Sequence, residues 1–189
     1  MITFITPSIG RSTLSNTINS VINQTNSDWQ YIIGFDGVNP EQHILDLINS
    51  NNKISYHIFP KTGIANRDGN VRNAAIHFAT TEWIGFVDDD DTLTDDYVSK
   101  LKEELMSNIQ YDCIIFRMIY KNGIILPELN NNNFPEEDHV GISFCYKKEL
   151  FDNGLCFIPS RIEDYELLTK IKNKNYKILL SEHICYNVR

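Results

Sequence analysis

The stretch VRNAAIHFATTEWIGFVDDDDTL, residues 71–93, decides how the fold is read. Val71, Ala74, Ala75 and Phe78 recur at helical spacing, which predicts a helix from about Gly69 to Ala79 with those side chains inward. EWIGFV, residues 82–87, follows as a short apolar run, the pattern of a strand buried on both faces. It runs straight into four consecutive carboxylates, Asp88 to Asp91. In open α/β sheets ligands bind outside the carboxyl ends of the strands, so a charged cluster placed there is a candidate site.

Upstream, strand and helix alternate at the pace of βαβ units. ITFIT, residues 2–6, is a β-rich run ended by Pro7; Ser12 offers a cap to a helix that carries Leu14, Ile18, Val21 and Ile22 on one face. QYIIGF, residues 30–35, predicts a second strand stopping at Asp36-Gly37, and Asn39 and Pro40 read as the start of a helix with Ile44, Leu45 and Ile48 buried. ISYHIF, residues 54–59, gives a third strand closed by Pro60. Apolar strands separated by helices imply a mainly parallel sheet covered on both sides.

Downstream the pattern loosens into a mixed-sheet extension. Thr94 reads as the cap of a helix to about Ser107, with Asp95 and Asp96 in its first turn and Val98, Leu101 and Leu105 inward. A strand at 111–120 leads into a turn-rich segment, 121–138, that holds the Asn run 130–133 and reads as a candidate lid. GISFCYK, a helical turn at KELF, a helix opening near 161–164, and late strands around KILL and ICYNV complete the chain. The 189 residues suit one domain, with 1–93 and 94–189 as its halves.

Composition narrows the partners. Lys and Arg total 17 against 25 Asp and Glu, for a net charge of −8 and a pI near 5.0. That balance disfavours nucleic acid and anionic membrane surfaces. The excess is local: residues 88–96 carry six carboxylates, and the rest of the chain sets 17 cations against 19 anions, a balance of −2. The amino terminus lacks the pattern of a signal peptide, and no apolar run approaches the roughly 20 residues a membrane helix needs. Cys113, Cys145, Cys156 and Cys185 are scattered among apolar neighbours without a CxxC pair, which predicts buried reduced thiols and a cytoplasmic protein.

In an extended strand end Asp88 and Asp90 point one way and Asp89 and Asp91 the other. Adjacent carboxylates repel unless a cation compensates, and a hard divalent ion, Mg²⁺ or Mn²⁺, takes oxygen ligands while keeping room for a phosphate. The bland reading is a solvated acidic loop that caps the next helix. EF-hand spacing and its central Gly are absent.

These residues resemble the inverting glycosyltransferases of family 2, which have the GT-A fold, a Rossmann-like mixed and mainly parallel sheet flanked by helices. The run from Arg72-Asn73 through the Glu-aromatic-Ile strand to the D-x-D-D sequence is its most specific part. ITFITPSIGR is similar to the opening strand and its Pro turn, SVINQTNSDWQYIIGFDG to the next helix and a strand ending in Asp-Gly, and GISFCYKKELFDNGLCFIPSRIEDYELL to the acceptor-side strand and Glu-Asp helix. Two departures are Ile9-Gly10, where the family carries an aromatic residue and Asn, and Phe35, where it carries the first of two acids; they bear on the choice of nucleobase.

The resemblance implies a nucleotide-diphosphate sugar donor, UDP-sugar favoured, a carbohydrate or other hydroxyl acceptor, and Mn²⁺ or Mg²⁺. Asp90 becomes the principal metal ligand, with Asp88 as second ligand or ribose contact and His183 as a third ligand. Thr6, Pro7, Asp36, Arg72, Asp88, Asp89 and Asp91 become donor-binding residues. Tyr186 and Arg189 approach the phosphates. Arg72 has the alternative of an ion pair with the acidic cluster, Asp36 that of a turn residue, Asn73 that of a structural cap, and Asp91 that of a helix cap. Asp164 becomes the catalytic base, with Glu163 positioning the acceptor; two acids placed only for the helix dipole remain the bland alternative. Outside this family, a nucleotidyltransferase lacks support because TPSIGRSTL supplies one Gly and one Arg for a triphosphate loop. A non-catalytic nucleotide-sugar or carbohydrate-binding module is the third reading.

Overall fold

The computed structural model describes residues 1–61 and 68–189. In chain order its elements are β1 (Ile2–Ser8), α1 (Leu14–Ile22), β2 (Trp29–Asp36), α2 (Gln42–Asn49), β3 (Ile54–Phe59), α3 (Gly69–Ile76), β4 (Trp83–Phe86), β5 (Thr92–Leu93), α4 (Tyr97–Leu105), β6 (Cys113–Tyr120), β7 (Ile125–Leu126), β8 (Phe144–Lys147), α5 (Lys148–Asp152), α6 (Glu163–Asn173) and β9 (Ile178–Val188). They form one mixed α/β sheet in the order β3-β2-β1-β4-β8-β6-β9-β5, with β7 paired on β6. β1 runs parallel to both β2 and β4, and β2 to β3. β8 is antiparallel to β4 and β6, and β9 is parallel to β6 and antiparallel to β5.

This order makes β1 and β4 neighbours although two strands, β2 and β3, lie between them in sequence. The crevice at their carboxyl ends is the topological switch point, where open α/β sheets bind ligands. Every residue of β1 is buried. Its two internal threonines are satisfied inside the core: Thr3 Oγ1 pairs with Thr81 Oγ1 at 2.7 Å, and Thr6 Oγ1 donates to the Val87 carbonyl at 2.7 Å and meets Tyr31 Oη at 2.7 Å. Thr6 therefore clamps β1 to the end of β4. Gly34 lets α3 approach the sheet, since a β-carbon there would lie 2.6 Å from Val71 Cγ1. Gly37 turns the chain after β2 at φ +68, where a β-carbon would meet Lys61 Cβ at 2.5 Å.

Several local expectations change. Helix α2 begins at Gln42 with Glu41 as its cap, leaving Asn39 and Pro40 in the preceding loop. Helix α3 ends at Ile76, so Phe78 lies past it; half-exposed, its ring stacks on His57 with centroids 3.7 Å apart. Asp96 takes the cap position of α4, and the Thr94 hydroxyl donates to Asp96 Oδ1 at 2.7 Å instead of capping the helix itself. Leu105, at the last turn of α4, is exposed rather than inward. The two late strands are one, β9, of 11 residues. Cys113, Cys145 and Cys185 are buried, but Cys156 is exposed.

The turn-rich segment 121–138 is fastened to the body. Arg117 Nε donates to the Pro127 carbonyl at 3.0 Å, and Asn130 Nδ2 donates to the Phe134 carbonyl at 2.8 Å. Phe134 packs on Tyr165 of α6 with centroids 5.8 Å apart, while the Lys172 ammonium sits 4.1 Å from the Phe134 centroid. Among the described residues no helix is long and apolar enough to cross a membrane.

Candidate active site

The acidic cluster leaves β4 as a turn rather than an extended end, closed by the Asp91 amide donating to the Asp88 carbonyl at 3.1 Å. The expected alternation survives in burial: Asp89 and Asp91 are buried, whereas Asp88 and Asp90 are partly exposed. Each inward carboxylate is committed to the protein. Asp89 Oδ2 accepts from the Ser8 hydroxyl at 2.7 Å and the Ile9 amide at 3.3 Å, and Oδ1 accepts from Arg11 Nη1 at 3.0 Å. It thereby fixes the β1–α1 loop, and burial raises its proton affinity. Asp91 Oδ1 accepts the Arg189 amide at 2.9 Å, and its carboxylate also takes the Tyr186 hydroxyl. Desolvation pushes Asp91 up to about 7. Asp91 thus anchors the end of β9, aided by β5, and is not the cap of α4.

The outward pair differs. Asp88 Oδ1 accepts from Arg72 Nη2, and the Asp88 amide donates to Tyr186 Oη at 3.0 Å. Asp90, 41% exposed, has one hydrogen-bond partner among the described residues, Arg11 Nη1 at 2.6 Å. Asp36 stands partly exposed at the end of β2, beside Gly37. Pro7 joins Ile9, Arg11, Asp68 and Asp89 around a small recess at the end of β1.

Arg72 joins the two halves of the chain. It is buried on α3, with its guanidinium carbon 5.5 Å from the Phe157 ring centroid. Nη1 donates to Glu163 Oε1 at 2.6 Å and lies 3.9 Å from Asp164 Oδ1, both in the first turn of α6. The neighbouring Asn73 clasps the approach to α6: Nδ2 donates to the Phe157 carbonyl at 2.9 Å, and Oδ1 accepts the Phe157 amide at 3.0 Å. Asn73, inside α3, therefore holds the segment before α6 against its own helix and caps neither end of it. Glu163 Oε2 and Asp164 Oδ1 are buried without a hydrogen-bond partner among the described residues. Burial, opposed by Arg72 and reinforced by Asp88 and Glu163, pushes Asp164 up to about 7. Glu163 is raised for the same first reason, burial.

His183 is not brought to the cluster. Its Nε2 lies 3.6 Å from Glu103 Oε1 and 3.7 Å from Glu104 Oε1, on the α4 side of β9. Tyr186 and Arg189, farther along the same strand, do arrive. Two neighbours went unassigned in the sequence: Arg11, and Asp68 at the start of α3, whose proton affinity is raised by burial. Arg11 follows β1 at its carboxyl end, where ligand sites lie, but its carboxylate partners are distant in sequence.

Among the described residues no three His, Cys, Asp or Glu side chains form a ready metal cage. The charge is still unbalanced: six carboxylates, Asp68, Asp88 to Asp90, Glu163 and Asp164, face the two guanidinium groups of Arg11 and Arg72. Asp88 and Asp90 are hard, partly exposed oxygen donors on one side of the turn, which suits a cation whose remaining ligands are phosphate and water.

Comparison with known proteins agrees with this layout. The sequence model described as "Glycosyl transferase family 2" matches residues 3–172. An uncharacterized glycosyltransferase of Methanocaldococcus jannaschii is 26% identical over 162 residues, which cover 84% of this chain and 53% of that protein. The chain thus spans about half the length of that curated relative. Among solved structures, S. aureus TarS residues 1–349 in complex with UDP-GlcNAc superposes with a TM-score of 0.74 at 18% identity, over 99% of this chain and 58% of that one. A mannosyltransferase from Pyrobaculum calidifontis, in complex with GDP-Man and Mn²⁺, superposes with a TM-score of 0.71 at 12% identity, over 97% of this chain and 55% of that one. The fold is that of GT-A glycosyltransferases.

Proposed function

The chain belongs to glycosyl transferase family 2, and from that membership we propose that it is a glycosyltransferase that moves one sugar, with inversion, from a nucleotide-diphosphate sugar to an acceptor hydroxyl. The observation that carries the reading is the state of Asp164. Its Oδ1 is buried without a hydrogen-bond partner among the described residues, 3.9 Å from Arg72 Nη1, its proton affinity is raised to about 7, and Arg72 ties its helix to Asp88 at the switch-point crevice. A carboxylate of that proton affinity is matched to general-base work near neutral pH.

In this scheme the acceptor hydroxyl lies at Asp164, which takes its proton as the oxygen bonds to the anomeric carbon. The bond from that carbon to the diphosphate breaks on the opposite face, so configuration inverts. Glu163, held by Arg72, orients the acceptor side. Asp88 and Asp90 would hold a divalent cation, Mn²⁺ or Mg²⁺, which would supply Lewis-acid neutralisation of the diphosphate charge. Asp36 and the recess beside Pro7 receive the nucleoside. Phe35 is wholly buried and Ile9 is half-exposed, so the pocket offers one acid and an aliphatic surface where the family carries two acids and an aromatic residue. The UDP-GlcNAc in TarS supports a UDP-sugar donor. The loop at 121–138, clipped to α6 through Phe134, forms the acceptor wall and shields the donor from water. The free thiols of all four cysteines fit the cytoplasmic assignment.

The test is a thermal-shift panel of nucleotide-diphosphate sugars with and without Mn²⁺, followed by transfer assays with the donor that stabilises most. A ligand bound only by the folded state raises its melting temperature. Stabilisation by a UDP-sugar that requires Mn²⁺ supports the reading; equal indifference to every nucleotide sugar overturns it.

A further inference from the structure

Arg11 is the charged group that the transfer scheme leaves without a task. Its Nη1 bridges two carboxylates of unlike character. Asp89 is buried and already held by the Ser8 hydroxyl and the Ile9 amide, so that end of the bridge is an anchor. Asp90 is 41% exposed and holds Arg11 alone among the described residues, at 2.6 Å, so that end can be released. The guanidinium therefore occupies Oδ2, one of the two Asp90 oxygens open to a divalent cation, and sets its own positive charge beside the other. Arg11 is itself 40% exposed, on the loop that Gly10 opens at φ +83, and it lines the recess with Pro7, Ile9 and Asp68. A long exposed side chain can swing off Asp90 without disturbing the core, and exposed ion pairs are weak.

We propose that Arg11 is a resident counter-ion that a divalent cation displaces from Asp90, and that the displaced guanidinium, still anchored beside Asp89, then binds the phosphate oxygens of the donor. This rests on the reading of Asp90 as a metal ligand. Without ligand, Arg11 relieves the repulsion between Asp89 and Asp90. With ligand, the cation takes over that task, and the guanidinium N–H donors not held by Asp89 become available to a diphosphate, whose oxygens they match. Arg11 thus acts as a specificity residue for a metal-bound anion, and it opposes loading of the metal alone.

The two halves of the proposal have opposite signs in binding experiments on the full chain. Titration calorimetry with MnCl₂ alone should show Arg11→Gln binding Mn²⁺ about 2–5-fold tighter than wild type, the worth of one exposed ion pair. Inorganic pyrophosphate titrated at saturating Mn²⁺ should bind that variant about 10-fold more weakly or worse, the loss of charged hydrogen bonds. Arg11→Lys keeps the charge but, as a point donor, spans the two carboxylates poorly, so its Mn²⁺ affinity should fall between the two. Mn²⁺ affinity unchanged or weakened in Arg11→Gln overturns the displacement, and Arg11→Lys equal to wild type assigns the effect to charge at a distance and overturns it too. Unchanged pyrophosphate affinity removes the phosphate contact. If wild type itself binds no Mn²⁺, the metal reading fails and this inference with it; if wild type binds and the variants match it, only the inference fails.

Discussion

Arg72 Nη1 donates to Glu163 Oε1 at 2.6 Å across 91 positions of sequence, and Nη2 of the same guanidinium holds Asp88. One buried cation thus sets the distance between the acidic turn after β4 and the first turn of α6. A charge removed from water is tolerable only while paired, and here the pairing is shared by carboxylates that belong to opposite sides of the crevice.

Removing that cation should be costly. Arg72→Met leaves Asp88, Glu163 and Asp164 crowded without their shared partner, and breaking a buried pair typically costs about 3–5 kcal/mol. For a chain of this size that is a fall in Tm of about 6–20 °C. Arg72→Lys should recover part of it, because an ammonium keeps the charge but cannot reach both carboxylates in the fork geometry. Thermal melts of the three proteins at pH 8 decide this; equal melting temperatures would show that the bridge is dispensable.

Asp164→Asn separates binding from chemistry. The amide keeps the shape but cannot accept a proton, so donor affinity should stay within about 2-fold while transfer falls about 10²–10⁴-fold, the usual span of general-base catalysis. Turnover at the wild-type rate would move the base elsewhere, Glu163 first.

The pH dependence follows from the same group. Asp164 is raised to about 7, and its working form is the deprotonated one, so transfer at saturating donor should fall tenfold per pH unit below about 7 and level off above it. Stability runs the other way. Asp91 and Asp164 are both raised to about 7 from an ordinary value of 3.8, so the folded protein holds protons that the unfolded chain has released. Their contribution is fullest below about 3.8 and is lost as pH rises through about 7. Asp164→Asn should therefore melt higher than wild type at pH 8, by about 2–8 °C if 1–2 kcal/mol is recovered, and the difference should shrink at pH 5. A lower Tm for the variant at pH 8 would contradict the raised proton affinity.

The sequence carried the parallel half of the sheet because each of its strands is an apolar run bounded by turn residues, and local pattern suffices there. It carried the Glu-Asp helix as a type and the alternation of burial along Asp88 to Asp91, but the acidic cluster forms a turn where an extended strand end was expected. What it could not carry was long-range pairing. Arg72 meets Glu163 across 91 positions, where Asn73 of the same helix clasps the Phe157 backbone in the segment leading to α6, and His183 turns toward Glu103 and Glu104 because β9 runs unbroken past α4. Arg11 escaped notice for the same reason: nothing local to SIGRST announces carboxylates nearly 80 positions away. The boundaries of α2 and α4 moved because Asn39-Pro40 and Thr94 are good caps in isolation, while the chain places Glu41 and Asp96 there.

Asp89 and Asp90 are adjacent and chemically identical, yet they should respond oppositely to replacement. Asp89 is buried and holds Ser8, Ile9 and Arg11. Asp89→Ala strips several donors of their acceptor and should lower stability by about 1–3 kcal/mol, with or without metal. Asp90 is 41% exposed and held by Arg11 alone among the described residues. Asp90→Ala should leave the melting temperature in metal-free buffer within about 0.5 kcal/mol of wild type, as surface changes do. In Mn²⁺ the order changes: Asp90→Ala should lose the stabilisation that Mn²⁺ with a nucleotide diphosphate gives wild type, whereas Asp89→Ala should keep part of it, weakened by the loss of the Arg11 anchor. Thermal melts of the three proteins with and without Mn²⁺ and UDP read both effects at once. Full Mn²⁺-dependent stabilisation of Asp90→Ala would remove Asp90 from the metal site and leave Asp88 to carry it.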